Sequence, residues 1–145
     1  MLASSLGFEK PAGNSMMTDP ISDMLTRLRN GATVHAKIVT MPMSNMKFAI
    51  AKLLQSEGYL SGVETYNEGV HPMLRLELSY DEHGSRITAL KRVSKPGLRV
   101  YVKAEELKPV RSGFGLAILS TPNGLMTSQE ARKRRLGGEL ICEVY

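Results

Sequence analysis

Apolar residues in the first quarter of the chain recur at Ile21, Met24, Leu25, Leu28 and Ala32, the spacing that turns one face of a helix toward a core. Asp19 stands where a side chain caps the free amides of such a helix, and Pro20 fits its first turn. Gly31 weakens its far end. Arg27, Arg29 and Asn30 fall off the stripe, facing either phosphates or water. An extended piece, Ile38-Val39-Thr40-Met41-Pro42, leads to Ser44, the expected cap of a second helix running to about residue 56. Ile50, Leu53 and Leu54 would form its buried face, with Met46 added, and Gly58 supplies a left-handed stop. Residues 59–66 read as a strand, Asn67-Glu68-Gly69 as a turn, and residues 73–80 as a second strand. There Leu74, Leu76, Leu78 and Tyr80 alternate with Met73, Arg75, Glu77 and Ser79. The first part is thus α-β-α-β-β.

Asp81-Glu82-His83-Gly84-Ser85 is polar and flexible in composition, and a domain boundary is expected there. Residues 86–94 read as a strand, Lys95-Pro96-Gly97 as a turn, and residues 98–103 as another strand. Leu98, Val100 and Val102 share one of its faces, and Arg99, Tyr101 and Lys103 the other. Leu116-Ala117-Ile118-Leu119 is an apolar strand, residues 120–127 a polar turn, and residues 128–135 a short cationic helix. The expected fold class is α+β, with two small domains at residues 17–83 and 84–145, the second mainly β with a short helix. Residues 1–16 show no periodicity and are expected to form a disordered leader. They contain no arginine, carry Glu9 and lack a long apolar core, a poor match to transit or secretory signals.

Charge sharpens this division. Residues 1–83 hold 7 Lys/Arg against 9 Asp/Glu, net −2, whereas residues 84–145 hold 12 against 5, net +7. Such asymmetry points the second part at a polyanion, for which nucleic acid is the commonest candidate, with a solvated basic face as the alternative. No apolar run approaches the ~18 residues of a helical membrane span, and no membrane partner is expected. The single cysteine, Cys142, cannot form an internal disulfide and reads as a small core residue.

Two stretches carry candidate chemistry. Ser120-Thr121-Pro122-Asn123-Gly124-Leu125-Met126-Thr127 concentrates hydroxyls around a proline and a glycine, suiting either a plain turn or hydrogen bonds to a partner's backbone or base edges. Arg99, Tyr101 and Lys103 place a ring between two cations, which permits stacking and phosphate contact together; a solvated strand face is the alternative. Catalytic readings fail. His35, His71 and His83 are scattered without ligand spacing, and no phosphate-loop lysine or G-x-S-x-G elbow is present. Gly113-Phe114-Gly115 only begins a dinucleotide fingerprint, since Ile118 stands where its third glycine belongs. No cofactor is expected.

From Met17 to Tyr145 the chain resembles the bacterial-type family of ribosomal small-subunit protein eight. The resemblance rests on Met17-Thr18-Asp19-Pro20-Ile21, Asp23-Met24-Leu25-Thr26-Arg27, Ser94-Lys95-Pro96-Gly97-Leu98-Arg99-Val100-Tyr101, Leu119-Ser120-Thr121, Gly124-Leu125-Met126-Thr127, Glu130-Ala131-Arg132 and Gly137-Gly138-Glu139-Leu140. It implies a structural constituent of the small subunit that binds an irregular helix in the central domain of its ribosomal RNA and supports assembly. Neighbouring small-subunit proteins are implied as further partners. A free-standing regulator binding its own messenger RNA is the other reading the resemblance permits. The location implied is the cytoplasmic ribosome, or that of an organelle. Carried over, Ser120, Thr121, Gly124 and Thr127 form the RNA-reading loop, with Pro122 replacing the family's second serine and Asn123 a frequent lysine. Lys95, Arg99, Tyr101, Lys103, Arg132, Arg134, Arg27 and Arg29 complete the expected RNA-binding set. Arg135 stands where the family usually ends its helix with glycine; a side chain in left-handed geometry costs on the order of 1 kcal/mol, so either the helix ends differently or the site is mildly strained.

Overall fold

Helix α1, Pro20–Thr33, buries Ile21, Met24, Leu25, Leu28 and Gly31, so the apolar stripe is the face it turns inward. Gly31 replaces Ala32 as its last buried position: a Cβ there would lie 2.7 Å from Val39 Cγ2 and 3.3 Å from Leu78 Cδ1. These features come from a computed structural model describing residues 19–107 and 115–145; the leader expected at residues 1–16, and Gly113 and Phe114, lie outside them. Strand β1, Ile38–Pro42, leads to α2, Asn45–Ser56, which Ser44 caps by accepting the Lys47 amide at 3.2 Å. The buried face of α2 is Lys47, Ile50, Ala51 and Leu54, whereas Met46 is exposed. Burial lowers the Lys47 pKa, and its Nζ is satisfied by the Pro42 carbonyl at 2.9 Å.

Strands β2, Leu60–Glu68, and β3, His71–Leu78, form an antiparallel hairpin, with β1 on the other side of β3. Leu74, Leu76 and Leu78 are buried as the alternation requires. Tyr80 departs from it. It opens β4, Tyr80–Asp81, which folds back on β5, Gly84–Ser85, and its hydroxyl donates to the Ala36 carbonyl at 2.5 Å. The expected boundary falls in this small hairpin, and the main apolar cluster runs past it to include Ile87, Leu90, Leu116, Ile118, Cys142 and Val144.

The second sheet comprises β6, Leu90–Arg92; β7, Tyr101–Val102; β8, Leu116–Thr121; β9, Gly124–Thr127; and β10, Gly138–Val144. Its order is β9-β8-β10-β6, with β7 also paired to β10. The expected strands at 86–94 and 98–103 are therefore much shorter. Lys95 and Leu98 exchange backbone hydrogen bonds at 2.8 and 2.9 Å, closing a tight turn that leaves Leu98 65% exposed instead of in the core. Leu116, Ile118, Cys142 and Val144 face the main core, while Ala117, Leu119 and Met126 form a second cluster with Ala131 of α3, Ser128–Lys133.

Asp19 occupies the first cap position but makes no side-chain cap. Its carboxylate instead accepts from Ser22 Oγ at 2.6 Å and Arg92 Nε at 3.0 Å, and Arg92 Nη1 donates to the Ile141 carbonyl at 2.7 Å. Burial works to raise the Asp19 pKa, but the hydrogen bonds from Arg92 and Ser22 outweigh it and hold the pKa below the usual value. Arg29 Nη2 donates to the Leu90 carbonyl at 2.6 Å, a second tie between α1 and β6.

The three α-helices among the described residues end alike. The third residue past each bonds back to a carbonyl five positions earlier: Ala36 to Gly31, Tyr59 to Leu54 and Leu136 to Ala131. The residue before it is left-handed in every case: His35 at φ 58°, Gly58 at φ 89° and Arg135 at φ 57°. Only one of the three is glycine, so His35 and Arg135 each hold a backbone conformation that costs a side chain.

Candidate nucleic-acid interface

The polar stretch at residues 120–127 is a β-hairpin, whereas the sequence reading placed one exposed turn between strand and helix. Thr121 pairs with Gly124, and only Pro122 and Asn123 lie between β8 and β9. Proline fixes its own φ, and Gly124 takes the positive φ, 109°, that lets so short a connection close. Thr121 Oγ1 donates to the Gly124 carbonyl at 2.8 Å and accepts the Asn123 amide at 3.2 Å. Thr127 Oγ1 caps α3 by accepting the Glu130 amide at 3.2 Å. Both threonines are buried, their hydroxyls occupied in building the loop. Ser120 differs: it is half-buried, and its hydroxyl has no partner among the described residues.

Cross-strand register assembles the rest of the face. Leu125 lies opposite Ser120, Ser120 opposite Glu139, and Glu139 opposite Tyr101, so four residues from β9, β8, β10 and β7 form one row across the sheet. Alternation along β8 puts Ser120 on the same face as Leu116 and Ile118, beyond the end of the core they enter. Arg99, two residues before Tyr101, reaches this row, its Nη1 donating to Glu139 Oε2 at 3.0 Å. That hydrogen bond and the carboxylate's charge raise the Arg99 pKa. The sheet thus unites Ser120, Arg99 and Tyr101, which lie 21 residues apart at the extremes of the sequence pattern.

Two features hold the row in register. A Cβ on Gly138 would lie 2.2 Å from the Ser120 carbonyl oxygen, and one on Gly137 would lie 2.5 Å from that of Val102. Only glycines let β10 pass so close to both neighbours. Ser94, fully buried, accepts the Val100 amide at 2.8 Å and donates to the Val100 carbonyl at 3.3 Å, pinning the segment between Arg99 and Tyr101. In the sequence Ser94 and Glu139 stand out only as members of the family motifs. Their pairing depends on register, which residue spacing alone does not reveal.

The remaining expected residues divide by what occupies them. Lys95, Lys103 and Arg132 are exposed and carry no ion pair among the described residues; nor do the neighbouring Lys133 and Arg135. Arg134 pairs with Glu130 at 2.7 Å along α3. Arg27 pairs with Asp23 at 3.0 Å and also donates to the Thr40 carbonyl, and Arg29 is committed to Leu90. No group of His, Cys, Asp and Glu that could hold a metal occurs among the described residues, and none of their helices is long and apolar enough to cross a membrane. Cys142 is fully buried, and burial pushes its thiol up to about 12.

Fold and face together define the class: a small α+β protein with a cationic, hydroxyl-bearing surface. Residues 19–145 match the family described as ribosomal protein S8, and the chain belongs to that family of structural, non-enzymatic proteins. Among its relatives, the small ribosomal subunit protein uS8 of Clostridium perfringens (strain SM101) is 54% identical over 131 residues. Those of Clostridium beijerinckii and Clostridium tetani are 53% and 46% identical over the same length. Each alignment spans 90% of this chain and 99% of the relative.

Proposed function

We propose that this chain is a structural constituent of the small ribosomal subunit, binding directly to the central domain of small-subunit ribosomal RNA and supporting its assembly. The observation that carries this reading is the family match over residues 19–145, with relatives named for the small subunit over nearly their whole length. The division of labour follows charge: residues 17–83 are a scaffold and residues 84–145 the RNA-binding part, although both share one core. The location is the bacterial cytoplasmic ribosome.

Recognition combines shape with charge. Lys95, Lys103 and Arg132, joined by Arg134 at the end of α3, neutralise phosphates along the RNA. Tyr101, 69% exposed beside Arg99, offers a ring on which a displaced base stacks. Ser120 supplies a free hydroxyl to a base or sugar edge, while Thr121, Gly124 and Thr127 set the hairpin that presents it. Arg27 and Arg29 act in the protein's own packing, with their guanidinium groups already engaged. Co-sedimentation with small ribosomal subunits after a high-salt wash tests the proposal. Retention of the chain is expected, and complete release would contradict a constituent role in favour of a free-standing regulator of messenger RNA.

A further inference from the structure

A carboxylate sits at the centre of the proposed RNA face. Glu139 lies directly between Ser120 and Tyr101 in the cross-strand row, its side chain is 16% exposed, and Arg99 is its one charged partner among the described residues. Phosphate is repelled from such a position, since like charges brought together in a partly desolvated site oppose binding. An ionised carboxylate accepts hydrogen bonds and donates none, and each oxygen can accept more than one. With Arg99 on one oxygen, acceptor capacity remains between the Ser120 hydroxyl and the Tyr101 ring. Gly137 and Gly138 hold the backbone at this point too closely to its neighbours for the carboxylate to be carried elsewhere.

We infer, on the RNA-binding reading just given, that Glu139 is a specificity-determining residue which accepts a hydrogen bond from a neutral donor of the RNA, an amino or imino group of an unpaired base or a ribose 2′-hydroxyl. The face therefore sorts its ligand by position. Phosphate goes to the exposed cations Lys95, Lys103 and Arg132, and a donor edge goes to Glu139. Arg99 plays two parts: it orients the carboxylate, and it lends the central row a positive charge that Glu139 offsets. A regular duplex keeps its Watson–Crick donors in pairing and displays its 2′-hydroxyls only along a continuous minor groove between two rows of phosphate, so Glu139 meets phosphate there and disfavours it. An irregular helix with a displaced base satisfies the carboxylate.

The test compares the full chain with Glu139→Gln, which keeps the shape but replaces one acceptor by a donor. Two RNA probes are titrated, the irregular central-domain helix of small-subunit ribosomal RNA and a fully paired duplex of equal length. Glu139→Gln is expected to weaken binding to the irregular helix about tenfold while leaving the duplex unchanged or tighter, the range expected for one base-edge contact. Lys103→Met, which removes one of the phosphate-directed cations, should lower the salt slope by about one yet keep the preference for the irregular helix. A melting curve for each variant confirms folding. Synthetic probes then distinguish the donor: in one arm single riboses are 2′-deoxy, in the other single bases lack an amino or imino donor. The arm in which Glu139→Gln no longer adds to the loss identifies the source. Equal weakening of both probes by Glu139→Gln, or no coupling in either arm, would overturn the inference. Failure of the unmodified chain to prefer the irregular helix would instead overturn the RNA-binding reading beneath it.

Discussion

Replacing Gly138 by alanine should damage the fold at one identifiable point. The added Cβ would meet the Ser120 carbonyl oxygen at 2.2 Å, the Ser120 carbonyl carbon at 2.9 Å and Thr121 Cα at 3.1 Å, all of them backbone atoms of β8 that cannot rotate away. Relief requires β8 and β10 to separate by about 1 Å, straining the ladder that joins Glu139 to Ser120. Overpacking of this kind costs typically about 1–3 kcal/mol, and strain on the adjoining hydrogen bonds places this site at the upper end. For a chain of this size about 3 kcal/mol corresponds to a fall of roughly 6–12 °C in Tm. Gly97→Ala is the matched control, because a Cβ there meets nothing within 4 Å and its backbone does not lie in the left-handed region. It should leave Tm unchanged or raise it slightly through the unfolded chain. Thermal unfolding followed by circular dichroism reads both. A fall of less than about 2 °C for Gly138→Ala, or equal falls for the two variants, would refute the claim that close strand approach fixes the RNA-facing row.

Ser120→Ala should weaken binding to the central-domain helix by about two- to tenfold, the worth of one hydrogen bond, with Tm within about 1 °C of the parent; Thr127→Ala should cost about 1 kcal/mol of stability through loss of the α3 cap. Titration paired with melting separates the two, and equal destabilisation by both would contradict their assigned roles. Arg135→Gly should raise stability by up to about 1 kcal/mol by relieving the left-handed side chain, measured by denaturant unfolding. Asp19 has a lowered pKa in the folded chain, so its pair with Arg92 stabilises above the ordinary carboxylate pKa of about 3.9 and is lost as pH falls through the folded value. Asp19→Asn should therefore lower stability at neutral pH and flatten its decline below about pH 4; an unchanged acid profile would remove Asp19 from this account.

The parts of the fold legible in the sequence were those set by local periodicity and caps. The α1 stripe, the Ser44 cap and the left-handed Gly58 all needed only neighbours within one helical turn. What failed depended on distant partners. Leu98 alternated as a core residue, yet the tight bonding of Lys95 and Leu98 turned that segment away from the sheet and left it exposed. Asp19 had the chemistry of a cap, but Arg92, 73 residues away, competes for the same carboxylate and wins it. In the hairpin, composition located the hydroxyls but not their bonds, so Thr121 and Thr127 looked equivalent to Ser120, although of the three Ser120 alone has a hydroxyl without a partner among the described residues. The same argument covers Glu139, whose position between Ser120 and Tyr101 exists only once three strands are in register.

The central claim, that the second part of the chain binds the central domain of small-subunit ribosomal RNA through an ordered face, is met most directly by a salt-resolved titration. The full chain and Arg132→Gln are titrated against the irregular central-domain helix and a regular duplex across a series of salt concentrations. The account predicts preferential binding to the irregular helix, an affinity that falls linearly on logarithmic axes with salt, and a slope reduced by about one in Arg132→Gln. Equal affinity for the two RNAs with an unchanged slope in the variant would contradict it.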